Sequence, residues 1–304
     1  MSTHPMVATA RRKVSGALRR LGLRDNPEQS DAAARDERDP DRTTFTSYVH
    51  AAPSAQNAVD LFRGEWVSAF PIPGIKAGNI PLFFDWKLPL LDEAFGSIAG
   101  WNVLELGPLE GMHTYMLEQM GAASVTAIES SGRAYLRCLI TKEVLDLRKA
   151  HFQLGDFNEF LTSTELTYDL VLGSGILYHQ HDPCATLGHV SRVAPRLLLW
   201  THFYDEGMFE SRDHLVDRFR TTTTTEFEGR TFTLHVHQYA EDLERRTFCG
   251  GLNETSHWMS LDDLETVLSI CGYKEELRQM ELDHPHGPAV LMILSKPGWS
   301  APSV

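Results

Sequence analysis

The sequence predicts an α/β fold, a largely parallel sheet with helices on both faces and its last strand antiparallel. Three observations carry that expectation. An apolar run at residues 103–106 rises through Glu105 and breaks into a loop bearing Gly107, Pro108 and Gly111, and residues 112–121 then read as a helix. That is the strand–loop–helix unit that holds a nucleoside-like group at the carboxyl end of a parallel strand. Strand-like and helix-like stretches then alternate up to Trp200, the pattern of βαβ units with right-handed crossovers. Finally, residues 273–282 and 289–295 read as adjacent strands joined by the short turn at 284–288, so one of them runs against the rest.

Each element has its own reason. Residues 124–128 form a strand ending in Glu129, and 133–147 a helix with Ala134, Cys138, Ile140 and Leu145 at apolar positions. Residues 151–154 are a short strand running into Gly155, Asp156 and Phe157. Residues 168–172 are a buried strand ending at Gly173, Ser174 and Gly175, followed by a helix at 182–193 and a strand at 196–200. An insert at 206–253 contains a hairpin, read from the threonines at 221–225 and the alternation over 231–236. Ser260 is a good N-cap for a helix that stops at Gly272. The core domain is therefore expected over residues 101–297.

Two segments precede it. Residues 1–46 read as an extension, a basic amphipathic helix followed by a polar linker. Such a helix is suited to an anionic membrane surface, to a partner, or to docking on its own domain. Residues 47–100 are rich in aromatic residues and proline, and read as a cap or lid whose last part, 88–98, is helical.

Composition narrows the function. The chain has 304 residues, and its 28 basic and 41 acidic residues give a formal charge of −13. Such a balance repels a phosphate backbone, so the expectation is a small-molecule substrate and no nucleic acid. No apolar run is long enough to span a membrane, and no secretory leader is visible. The four cysteines are scattered, which points to a reducing cytoplasm rather than a disulfide framework.

The glycine loop separates two cofactor classes. A dinucleotide needs three glycines so that backbone amides approach a pyrophosphate. Counting from Gly107, Leu109 and Met112 stand where the second and third belong, and Pro108 lacks an amide donor. S-adenosylmethionine carries no phosphate and suits Glu105, Gly107 and Gly111. Glu129, at the end of the second strand, is placed to accept from both ribose hydroxyls. Asp156 is placed to accept from an adenine amino group, with Phe157 against the ring. Any one of these acids also serves as a helix cap; three in order at successive strand ends point to the cofactor. Ser174, ending the fourth strand, joins them.

On these residues the chain resembles the class I S-adenosylmethionine-dependent methyltransferases over about residues 86–296. The resemblance implies a Rossmann-like sheet of seven strands, a bound S-adenosylmethionine, and methyl transfer near the ends of the fourth and fifth strands. The run Gly175 to His179, followed by Asp182 and Pro183, also resembles the bacterial enzymes that carboxymethylate a tRNA wobble uridine.

Methyl transfer is an in-line displacement in which the protein supplies proximity and removes a proton. His179 and His202 are the candidate bases, since a neutral imidazole suits that task, with Tyr178 positioning a reactant. Each histidine also reads as an ordinary hydrogen-bonded structural residue. The 14 histidines raise the question of a metal. The pairs at 179/181, 235/237 and 284/286 lack a neighbouring carboxylate at ligand spacing, so no metal is expected. The leading expectation is O- or N-methylation of a small molecule. The alternatives are a tRNA-modifying (carboxy)methyltransferase and a cofactor-binding protein without turnover.

Overall fold

Seven strands form the central sheet: β1 (Asn102–Leu106), β2 (Ser124–Glu129), β3 (Ala150–Leu154), β4 (Leu170–Ser174), β5 (Arg196–His202), β9 (Lys274–Glu281) and β10 (Ala289–Ser295). Their spatial order is β3-β2-β1-β4-β5-β10-β9. β10 pairs antiparallel with both β5 and β9, so the last strand of the chain alone opposes the others. This is the fold class expected from the sequence. The computed structural model describes residues 48–300 apart from 210–211, 213–214, 216 and 240–249. The expected basic helix and linker at 1–46 lie outside the described residues. The compact unit begins at Ser54.

The order reverses at β1 and β4, whose chains leave the sheet in opposite directions and open a crevice at their carboxyl ends. The described α-helices are α1 (Ala55–Val59), α2 (Leu90–Phe95), α3 (Met112–Gln119), α4 (Gly132–Val144), α5 (Phe157–Ser163), α6 (Pro183–Val193), α7 (Glu206–Phe209) and α8 (Leu261–Ile270), with single helical turns at Asp60–Phe62, Leu82–Phe84 and Leu177–His179. α5 was not expected; Asp156 caps it, its side chain accepting from the Asn158 amide. The Asp182 and Ser260 side chains cap α6 and α8 in the same way.

Apolar residues fill both faces of the sheet. Leu104, Leu106, Ile128 and Val171 face α5, α6 and α8, whereas Val103, Val125, Leu172 and Leu198 face α2 and α3. The alternation along β1 is the period-two pattern of a strand covered on both sides. In the insert, β6 (Phe219–Phe227) and β7 (Arg230–Gln238) form the expected hairpin. It turns at Glu228 and Gly229, both with positive φ. β8 (Thr255–Trp258) adds a third strand that the sequence did not announce.

The aromatic segment before the sheet is irregular and packs as a layer. Val59, Phe62, Trp66, Phe70 and Phe83 form a cluster with Met112 and Tyr115 of α3 and Ile140 of α4. A polar anchor secures it. Glu110, in the glycine loop, is fully buried and accepts from the Val67 and Ser68 amides, each at 2.9 Å, with Arg137 Nε 3.8 Å away. Glu110→Ala strips two buried amides of their acceptor and leaves a buried guanidinium without that charge. It is expected to cost about 2–3 kcal/mol. A fall in Tm of roughly 4–12 °C checks this by thermal unfolding; an unchanged Tm refutes the anchor.

Candidate functional site

A cleft of about 810 Å³ opens over the carboxyl ends of the strands. Its first end is built on the glycine loop. Gly107 (φ 67°) and Gly111 (φ 78°) adopt the left-handed conformation that glycine tolerates. A Cβ on Gly107 would come 2.8 Å from the Ile176 side chain, and one on Gly111 would come 3.0 Å from Phe152. Leu109 stands where a middle glycine is usual, yet it also takes positive φ, 55°. The loop thus keeps its shape at the strain of one non-glycine residue, a cost of order 1 kcal/mol.

That strained residue has a task. The Leu109 amide donates to Glu129 Oε2 at 3.1 Å, and the Ser131 amide donates to Oε1 at 2.8 Å. Glu129 is nearly buried and lines the cleft, fixed at both oxygens by backbone amides. Burial raises its pKa, against the lowering effect of these hydrogen bonds. Asp156, Phe157 and Ser174 also line the cleft. Asp156 Oδ1 is engaged by the Asn158 amide at 2.8 Å, so the capping and cleft-lining roles coincide.

Three residues of the predicted first motif stand behind the cleft rather than along it. Glu105 is buried; it accepts from the Thr114 hydroxyl and lies 3.8 Å from His113 Nδ1. His113 Nε2 is in turn 2.8 Å from Asp85 Oδ2, so Glu105 joins the loop to the covering segment. Burial pushes the Glu105 carboxyl pKa up, whereas His113 and Lys87 hold that of Asp85 far down against its own desolvation. Pro108 accepts at its carbonyl from the Glu110 and Gly111 amides, and Gly111 starts α3. They shape the loop.

The far end of the cleft lies beyond β4 and β5. Tyr178 and His179 sit in a single helical turn after β4 and both line it. His179 Nδ1 is 2.6 Å from the Tyr239 hydroxyl, which also accepts from the Gly251 amide at 3.2 Å. Burial, with His237 and His202 nearby, lowers the His179 pKa to about 3. Gly251 is essential to that closeness, because a Cβ there would lie 2.3 Å from the His179 carbonyl oxygen.

His202, the second candidate base, is not on the cleft. It is buried, 3.0 Å from the Gly287 carbonyl through Nδ1, and stacked on Trp258 with ring centroids 5.1 Å apart. Burial lowers its pKa to about 4. The 284–288 turn folds over it, which corrects its expected place at the reacting end. The far end of the cleft is lined by Asp85, Trp86, Lys87, Trp200 and Glu281, which spacing did not single out, and by His284, which the sequence marked only as one of a histidine pair. Glu281 ends β9, a strand parallel to β1, so the acid-at-strand-end signal was present in the sequence. Among the described residues, no three His, Cys, Asp or Glu side chains gather as metal ligands.

Solved structures share this architecture. The N-terminal domain of EvdMO1, crystallised in the presence of SAH (S-adenosylhomocysteine) and D-fucose, matches with a TM-score of 0.59 at 22% identity, over 79% of this chain and 94% of that one. The same domain with SAH bound gives 0.56 at 21% identity, over 79% and 93%. A further EvdMO1 structure gives 0.51 at 18% identity, over 82% of this chain and 49% of that one. The likeness establishes the fold, the Rossmann-like sheet of class I methyltransferases. No protein-family model matches the chain, and no curated protein does.

Proposed function

We propose that the chain is an S-adenosylmethionine-dependent methyltransferase acting on a small-molecule acceptor. The observation that carries this reading is Glu129, a carboxylate held at the end of β2 by two backbone amides and facing a cleft of about 810 Å³. That volume lies in the upper part of the ~300–1,000 Å³ range of ligand pockets. The donor set fits the cofactor. Five carboxylates and a single lysine line the cleft, suited to a sulfonium, an ammonium and ribose hydroxyls, and hostile to the phosphates of a dinucleotide.

In this reading Glu129 accepts from the ribose, Asp156 and Phe157 receive the adenine, and Gly107 and Ser174 border the methionine portion. When bound, the cofactor supplies an electrophilic methyl group on a positively charged sulfur. Tyr178 and His179 then border the acceptor. Burial keeps His179 uncharged, so it is ready to take a proton, though it is a weak base. It suffices for an acceptor whose proton becomes acidic as the new bond forms. His202 is left a structural role. A cytoplasmic setting accords with the three buried free cysteines among the described residues, Cys138, Cys184 and Cys271. No described helix is long and apolar enough to cross a membrane. The acidic cleft speaks against a tRNA acceptor.

Calorimetry with SAH tests the reading directly, and saturable one-to-one binding is expected; an absence of binding rejects it. Once an acceptor is in hand, His179→Ala is expected to lower kcat about 10²-fold or more with SAH affinity within about twofold, whereas full turnover removes His179 from the chemistry.

A further inference from the structure

The far end of the cleft is an aromatic enclosure whose centre the protein fills with its own cation. Lys87 Nζ lies 5.5 Å from the ring centroid of Trp86 and 5.2 Å from that of Trp200, and pairs with Asp85 at 2.7 Å. Trp200 is oriented by its indole nitrogen, which donates to Glu281 Oε1 at 2.6 Å. His284 stands against the same indole, with ring centroids 5.5 Å apart. All of these residues line the cleft.

This arrangement selects by exclusion. Paired tryptophans with carboxylates would form a cage for an ammonium group, but Lys87 already lies over each of the two indoles and would repel a second cation. The lysine does not make an anion site either. Asp85 neutralises it, and Glu129, Asp156, Asp182 and Glu281 give the cleft a net negative lining. A flat aromatic ring, even one with two adjacent hydroxyls on a single edge, cannot reach Lys87, Asp85 and Glu281 together and would leave some of them desolvated without partners, a costly outcome for buried charges. An acceptor with apolar ring faces and a rim of neutral hydroxyls meets all of these groups. Its hydroxyls donate to Asp85 and Glu281 and accept from Lys87, and its C–H face lies on an indole.

Resting on the methyltransferase reading above, we propose that the acceptor is a neutral polyhydroxylated ring of the carbohydrate class, methylated on oxygen. Lys87, Trp86 and Trp200 are its specificity determinants. A hydroxyl oxygen bonds to the methyl carbon as the methyl–sulfur bond breaks, the electron pair stays on sulfur to leave SAH, and the hydroxyl proton passes to His179.

Saturation-transfer NMR on the full chain with SAH present tests this, using methyl glycosides, glucose 6-phosphate, catechol and tetramethylammonium as probes. At least one neutral glycoside is expected to give a saturable response, and the phosphorylated sugar, the catechol and the cation none. Trp86→Ala, at a half-exposed position that the fold tolerates, is expected to weaken that response tenfold or more with calorimetric SAH affinity within twofold. Lys87→Ala is expected to admit tetramethylammonium. SAH binding with silent glycosides, or a preference for the phosphate, the catechol or the cation in the unaltered chain, overturns the proposal. Loss of SAH binding itself overturns the methyltransferase reading and this proposal with it.

Discussion

Replacing Glu129 with alanine is expected to weaken SAH binding by about 10- to 100-fold, the worth of one or two charge-assisted hydrogen bonds at about 1.5–3 kcal/mol. The loss has two sources. The proposed ribose contact is lost, and the Leu109 and Ser131 amides lose the acceptor that now fixes them. Leu109 already holds a positive φ, so the loop has reason to relax once its amide is released. Glu129→Gln separates these sources. One amide oxygen still accepts from Leu109 or Ser131, but the charge and the second acceptor are gone. An intermediate affinity is therefore expected, with the Tm close to that of the unaltered chain. Calorimetric titration of both variants measures the effect, and a Glu129→Ala affinity equal to that of the unaltered chain removes the ribose assignment.

Much of this site was legible because parallel strands carry a simple rule: what stands at the carboxyl end of a strand faces the crevice. The rule found Glu129, Asp156 and Ser174. Applied to β9 it would also have found Glu281, but that strand was read only as completing the sheet. It misplaced His202, which follows the strand read at 196–200 and in the structure ends β5, yet is sealed by the 284–288 turn, a tertiary contact that spacing does not encode. Asp85 and Lys87 lie in the segment read as a cap or lid, yet neither was singled out, since that segment has neither the period of a helix nor that of a strand. The hairpin was announced by its threonines, whereas the Tyr239 contact to His179 was not, because it joins residues 60 positions apart. Local pattern announced the frame and the acids along the near end of the cleft; long-range packing decides its far end.

Acidification is expected to destabilise the fold steeply, beginning near pH 6.5 and continuing to about pH 4. His179 and His202 are both lowered by burial, to about 3 and about 4, whereas the unfolded chain titrates them near 6.5. Above pH 6.5 both states leave them neutral and stability is full. As pH falls through 6.5 the unfolded chain takes up protons that the folded chain refuses, and stability is lost until the folded values are reached. Each such group contributes a slope of about 1.4 kcal/mol per pH unit, so two give roughly 2.7. Across two units that is comparable with the whole stability of a typical domain, about 5–15 kcal/mol. The groups facing these rings set the direction. His237 and His202 bear on His179, and His284 and His286 on His202, all disfavouring charge, whereas the Gly287 and Pro288 carbonyls favour it without prevailing. Glu105 and Glu129 act with the opposite sign. Their raised values add stability as pH falls through the folded values toward the unfolded value near 4.5, and it is fully present below that, so they offset part of the loss over that interval. Urea unfolding midpoints at pH 7.5, 6.0 and 5.0 measure the slope. His202→Gln is expected to lower the midpoint at pH 7.5, through lost stacking on Trp258, and to flatten the slope by about one proton. A midpoint that stays level from pH 7.5 to 5.0 would mean that both imidazoles are solvated when folded, and the burial of His179 and of the His202 ring beneath the 284–288 turn would then be wrong.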